Sequence, residues 1–199
     1  GSSSIALSWK QIQGATGYLV YIYDAQAKEY YLKTDVASAK AEITGLKSNT
    51  TYSFAVKAYY KSGSGTAYSK YYSDICTATT LPGTVTGFSV LTDYTTTDSI
   101  TLSWTGIKDC SGYIIYIYDS KTEEFVPYHT IRSDVITMYK VTGLKEDSVY
   151  YFRIRAFSGA ESNAGELSAK LTARTAEKLL TEENAFEFFV NALNITKNT

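Results

Sequence analysis

Gly17-Tyr18-Leu19-Val20-Tyr21-Ile22-Tyr23-Asp24 returns, nearly letter for letter, as Gly112-Tyr113-Ile114-Ile115-Tyr116-Ile117-Tyr118-Asp119. A run this rich in Tyr, Ile and Val, opened by Gly and closed by Asp, is strand-forming by composition. The second copy begins 95 positions after the first, so the chain reads as two copies of one unit of roughly 95 residues. Upstream of each copy lies a period-two segment, Ser4-Ile5-Ala6-Leu7-Ser8-Trp9 and Ser99-Ile100-Thr101-Leu102-Ser103-Trp104, which reads as a half-buried strand. Downstream come short strands at 29–32 and 124–128, then Ala41–Leu46 and Tyr139–Leu144, Tyr52–Tyr59 and Tyr150–Phe157, and a last strand at Asp74–Thr79 and Ala169–Arg174. The offset rises to 98 in the middle and returns to 95 at the end, so both length changes fall in connections, where insertions cost least.

The bulk properties narrow the class. Charged residues make up 20% of the 199 and hydrophobic ones 44%, which suits a globular chain and not a disordered one. Nineteen Tyr against two Pro favour half-buried sheet surfaces. A formal charge of −1 gives no field that would draw nucleic acid or an anionic membrane, so neither is expected as a partner. No apolar run approaches the ~18–20 residues of a membrane span. The start Gly1-Ser2-Ser3-Ser4, with neither Met nor a signal peptide, reads as the beginning of a piece of a longer protein.

Short strands at this spacing argue for an antiparallel sandwich. The Leu-x-Trp strand, the Gly-Tyr-x-[Val/Ile]-Tyr strand, Thr-Gly-Leu-Lys followed by Tyr-x-Phe, and the closing Thr-Ala-Thr-Thr or Thr-Ala-Arg-Thr together resemble fibronectin type III domains. The resemblance covers residues 4–80 and 84–175. It implies an all-β fold of two immunoglobulin-like sandwiches in tandem, with Trp9 and Trp104 in the cores. Tyr52 and Tyr150, each six positions after a Leu, match the family's tyrosine corner, in which the phenol bonds a nearby backbone group. Module one is expected over 1–80, without a counterpart of the opening strand Val85–Leu91, and module two over 81–176. A tail over 177–199 departs from the strand period. Phe186, Phe189, Val190 and Leu193 share a helical face, and Thr181 with Glu182 and Glu183 suits a helix start, which predicts a short C-terminal helix over 181–193. That helix is expected to dock on module two, with a neighbouring copy as the other host.

Enzyme readings find little to stand on. The one His, His129, has no Cys near it and reads as a surface residue rather than a ligand. Asp24 and Asp119 recur at one position, but each follows a strand and reads as a turn former rather than half of a carboxylate pair. Gly63-Ser64-Gly65 reads as a hairpin tip, not a phosphate loop. No catalytic residue, metal site or cofactor is implied. Cys76 aligns with Leu171 and is expected to face the core of module one; Cys110 lies in the loop after the second Trp strand. Both are expected as free thiols.

The remaining candidate is an aromatic sheet face. Alternation puts Tyr18, Val20 and Ile22 on one side of the first organising strand and Leu19, Tyr21 and Tyr23 on the other. Lys57 and Tyr59 share that outer side. In module two Ile114, Tyr116, Tyr118, Arg153, Arg155 and Phe157 do. Tyr21, Tyr23, Tyr59, Tyr116, Tyr118, Arg153, Arg155 and Phe157 are therefore the candidate binding residues. They form either a flat aromatic platform for sugar rings or a protein partner, or cross-strand pairs that only steady the sheet. The expected role is a non-catalytic spacer and interaction segment of a secreted or cell-wall-associated bacterial protein. Its partners would be protein or polysaccharide at the cell surface, with weak self-association through the tail helix or the open edge of module one. A carbohydrate-binding accessory segment of a polysaccharide-degrading enzyme is the alternative.

Overall fold

The computed structural model describes residues 1–179, and the expected tail helix over 181–193 lies outside them. The first half folds as β1 (Ser4–Ser8), β2 (Gly17–Asp24), β3 (Glu29–Val36), β4 (Lys40–Thr44), β5 (Thr51–Ser62), β6 (Gly65–Tyr68) and β7 (Cys76–Thr79). The second half has β8 (Ser89–Val90), β9 (Ser99–Ser103), β10 (Gly112–Asp119), β11 (Glu124–Ile131), β12 (Met138–Thr142), β13 (Val149–Phe157) and β14 (Leu171–Arg174). Every ladder is antiparallel. In module one β1–β4 faces a sheet ordered β3-β2-β5-β6, with β7 also on β5; in module two β12-β9-β8 faces β11-β10-β13-β14.

The inner faces carry the cores. Val20, Ile43 and Phe54 meet Ile5 and Leu46 in module one; Ile100, Leu102, Tyr113, Ile115, Val141, Phe152 and Ile154 meet in module two. Period-two alternation delivers these side chains to one side of each sheet, and their removal from water is the main favourable term. Trp104 is buried and meets Tyr113 edge-on at 5.3 Å; Trp9 is only half-buried and meets Tyr18 at 5.4 Å. The tyrosine corners form as expected. The Lys47 N–H donates to Tyr52 Oη and the Lys145 N–H to Tyr150 Oη, each at 2.8 Å. The closing Thr of each module is buried under its corner: Thr80 Oγ1 donates to Lys47 O at 2.7 Å, and Thr175 Oγ1 to Lys145 O at 2.6 Å.

Three expectations need correction. The 29–32 and 124–128 strands extend to Val36 and Ile131, because each holds β2 or β10 past a bulge, at Val20/Tyr21 and Ile115/Tyr116. The opening strand expected over Val85–Leu91 is regular only at Ser89–Val90, with single backbone hydrogen bonds at Thr86 and Leu91 on either side; Val85 and Phe88 serve as side-chain plugs of the core. Cys76 is exposed rather than buried. Its counterpart Leu171 packs on a core that includes Val85, Phe88 and Val90, whereas the corresponding place in module one is a groove lined by Leu7, Trp9, Phe54, Val56 and Cys76. Both thiols are free, and buried Cys110 directs Sγ at Gly112 O, 3.7 Å away.

Candidate functional site

The outer faces of the two larger sheets hold the candidate residues, and they differ from each other. On module one Tyr21, Tyr23, Tyr30 and Tyr72 form a cluster. Tyr30 stacks on Tyr72 at 3.9 Å and 11°, Tyr21 meets Tyr72 edge-on at 5.1 Å, and Tyr23 leans on Tyr30 at 4.8 Å. Lys57 Nζ caps Tyr72 at 4.4 Å from the ring centre. The cluster is half-buried, and burial together with the neighbouring Tyr72 holds the Tyr21 phenol above its ordinary value of 10.0. Tyr72 had no place in the alternation of any strand; it comes from the connection between β6 and β7, which is why the sequence pattern missed it.

Tyr59 was expected to present its ring outward. It does lie on the outer side, but it is buried. The ring lies over Gly17, where a Cβ would run into the phenol oxygen, and the hydroxyl donates to Asp35 Oδ1 at 2.8 Å. That hydrogen bond is the first cause of a phenol pKa above 10.0. Gly at the head of the organising strand is thus required by its cross-strand neighbour. The two are paired residue for residue in the ladder.

On module two the correction is larger. Tyr116 and Phe157 are buried, together with Ile114, in a second small cluster on the outer face, closed by Phe125, Ala164 and Leu167. Leu167 and Ala164 descend from the connection between β13 and β14, so alternation correctly gave the face but not its cover. The two arginines complete the cover. Arg155 lies over Tyr116 at 5.1 Å and Arg153 over Phe125 at 4.9 Å, with both Nε atoms buried and unbonded. Lys170 Nζ sits 4.7 Å over the Tyr151 ring, and Arg132 lies 5.9 Å from the Phe157 ring centre. Tyr118 keeps a half-exposed position, edge-on to Phe125 and Tyr151. A flat open aromatic platform is therefore absent from module two. What faces solvent there is a row of cations seated on rings, each contact worth ~0.5–1 kcal/mol or more as it is desolvated.

The candidates for chemistry take ordinary places. Asp24 Oδ1 accepts from the Gln26 and Ala27 N–H groups at 2.8 and 3.0 Å, and Asp119 Oδ1 from the Lys121 N–H at 2.9 Å, so both are turn formers. His129 stacks on Tyr139 at 4.3 Å. Among the described residues no group of three His, Cys, Asp or Glu could hold a metal ion, and no helix is long and apolar enough to cross a membrane.

A joint between the modules was not visible in the sequence. Asn49, in left-handed backbone with φ 48°, donates from its own N–H to Leu81 O at 3.0 Å and from Nδ2 to Lys108 O of module two at 2.8 Å. Its Oδ1 accepts from the Ser158 hydroxyl. Gly165 packs so closely on Pro82 O that no Cβ would fit. In module two the equivalent left-handed residue is Asp147, φ 47°, whose carboxylate takes Arg174 instead.

Two antiparallel sandwiches joined by a short linker, with tyrosine corners and a Trp directly after β1 and after β9, define a tandem immunoglobulin-like class. The fibronectin type III domain family matches residues 1–74 and 83–174, and the chain belongs to it. Chitinase A1 of Niallia circulans is 30% identical over 186 residues, which span 88% of this chain and 24% of that protein. Fibronectin type III domain-containing protein 2 of Margaritifera margaritifera is 25% identical over 170 residues, spanning 82% of this chain and 26% of that protein. The chain thus spans about a quarter of the length of these relatives. Among solved structures, a two-domain fibronectin type III segment of chicken tenascin aligns over 87% of this chain and 93% of its own, at 18% identity and a TM-score of 0.48.

Proposed function

We propose that the chain is a non-catalytic tandem spacer and interaction segment, dividing near residues 80 and 81, of a bacterial protein that is secreted or held at the cell wall. The observation that carries the spacer role is the Asn49 joint: one side chain grips the Lys108 and Ser158 loops of the other module. A short Pro-containing linker, Thr80-Leu81-Pro82-Gly83-Thr84, leaves little slack. Small-angle scattering and NMR rotational diffusion test it. A rigid spacer tumbles as one elongated body, and Asn49→Ala should let the modules tumble semi-independently while each keeps its fold. Independent tumbling of the unaltered protein would end the reading.

A polysaccharide setting is the second reading. Two observations favour it: the similarity to a stretch of a bacterial chitinase, and the half-exposed tyrosine cluster of module one. Binding to insoluble polysaccharides that is lost in Tyr23→Ala plus Tyr72→Ala supports it. No retention on any polysaccharide refutes it and leaves a protein partner.

A further inference from the structure

We propose that the outer face of the β11-β10-β13-β14 sheet of module two is a binding site for a carboxylate-bearing polysaccharide. The inference rests on the interaction role above and gives it a ligand class. Among the described residues five cations line this face: Arg132, Arg153, Arg155, Lys170 and Arg174. Two are neutralised, Arg132 by Glu161 and Arg174 by Asp147. Arg153, Arg155 and Lys170 have no carboxylate within ion-pair distance among the described residues, and their side chains make no hydrogen bond there.

The arginines are also held in one pose. Each Nε is buried, and each guanidinium carbon lies over a ring, 4.9 Å from the Phe125 centre for Arg153 and 5.1 Å from the Tyr116 centre for Arg155. The Nη nitrogens are left toward solvent as planar forks already stripped of much of their freedom, which is the geometry that takes a carboxylate bidentately. Arg153 and Arg155 stand two residues apart on one strand, about 6.6 Å at the strand rise. Lys170 continues the charge toward Tyr151. A neutral sugar gains little here, because the ring faces it would stack on are already taken by cations. An acidic sugar chain gains twice: its carboxylates reach the forks, and its ring C–H faces meet the half-exposed rims of Tyr118 and Tyr151. An acidic peptide offers only the first of these.

Affinity electrophoresis and titration calorimetry at low salt, with polygalacturonate as the probe, test the site. Its methyl-esterified form supplies the same backbone without charge, and poly-glutamate supplies charge without sugar. Polygalacturonate should retard the protein and bind at least about tenfold more tightly than either control, and the binding should weaken as salt rises to screen it. Arg153→Gln with Arg155→Gln should lose at least about tenfold more. Because uncovering Phe125 and Tyr116 threatens the fold, Arg155→Lys, which keeps charge and stem but not the fork, and exposed Lys170→Gln serve as second variants. Each should weaken binding with an unchanged melting temperature. Equal binding of the esterified polymer, equal binding of poly-glutamate, or undiminished binding by Arg155→Lys and Lys170→Gln would each overturn the proposal. Retention on neutral polysaccharide through Tyr23 and Tyr72, with none on polygalacturonate, would overturn this site while leaving the polysaccharide setting intact.

Discussion

Tyr113→Phe removes one oxygen from a phenol that is 0% exposed, and the consequences follow from two hydrogen bonds. Tyr113 Oη accepts from the Ile107 N–H at 2.7 Å and donates to Asp134 O at 3.3 Å, tying the loop after the Trp strand to the connection between β11 and β12. The ring stays on Trp104, so apolar burial is unchanged; what is lost is the partner of a part-buried backbone donor, a cost of about 1–2 kcal/mol. For a domain of this size the melting temperature falls by ~4–8 °C per kcal/mol, so a drop of about 5–15 °C is expected. Tyr18→Phe is the internal control. Tyr18 Oη accepts from the Ile12 N–H at 2.8 Å, but Ile12 is 53% exposed and water replaces the bond, so less than ~1 kcal/mol should be lost. Each module has one Trp, and fluorescence of Trp9→Phe and Trp104→Phe backgrounds reports the modules separately. A pH arm sharpens the test. Burial pushes the Tyr113 phenol from 10.0 up to about 12. The folded state then holds a proton that the unfolded state releases, so this contribution is complete below pH 10 and fades as pH climbs from 10 to about 12. The stability gap between wild type and Tyr113→Phe should shrink over that interval. Equal losses at Tyr18 and Tyr113, or a gap that stays constant with pH, would refute the reasoning.

Glycine tests separate clash from backbone strain. Gly112→Ala, with φ 149° and its Cβ driven into Ile131 O, should cost more than ~3 kcal/mol in urea titrations. Gly143→Ala, with φ 74° and open space around it, should cost only ~1–2 kcal/mol. Under native conditions Cys76 should react with a thiol reagent at once and Cys110 only after unfolding, as read by mass spectrometry of timed samples. Tyr150→Phe should lower module two's stability by about 0.5–1.5 kcal/mol in chemical denaturation by releasing the Lys145 N–H, and Tyr52→Phe should do the same in module one.

Strand existence was legible because inward and outward positions alternate, and the repeated octapeptide fixed the copy number. The tyrosine corner was legible because Leu46 to Tyr52 and Leu144 to Tyr150 keep one spacing. The cover of the outer faces was not. Tyr72, Ala164 and Leu167 lie in connections with no period, and the cover of Tyr21 depends on the first and that of Tyr116 on the other two. The exposure of Cys76 was hidden for a related reason: its alignment with Leu171 gives its direction, not what lies above it. The left-handed residues that close the turns before β3 and β11 are Lys28 and Glu123, φ 56° and 57°, side chains that carry no turn signal of their own. Nothing in the sequence marks Asn49 as a contact to the other module; only the fold shows its amide spent on the joint.

The two copies allow the inner and outer constraints to be separated inside one molecule. Inner positions keep their chemistry: Tyr18 matches Tyr113, Val20 Ile115, Phe54 Phe152, Val56 Ile154 and Ala58 Ala156. Close packing accounts for this, because a change of even one methylene in such a core is felt. Outer positions of β2 and β10 also match, Leu19 with Ile114, Tyr21 with Tyr116 and Tyr23 with Tyr118, but three outer positions of β5 and β13 do not. Ser53, Ala55 and Lys57 stand where module two has Tyr151, Arg153 and Arg155. Stability alone does not require that divergence, since a Tyr–Lys cap and a Tyr–Arg cap both cover their sheet. The difference lies in what reaches solvent, phenol rims in module one and guanidinium forks in module two. If both faces only steadied their sheets, exchanging Arg155 for Lys, the residue module one uses at that place, would alter neither stability nor binding. Loss of acidic-polysaccharide binding in that variant, at unchanged melting temperature, would assign the outer face of module two to recognition.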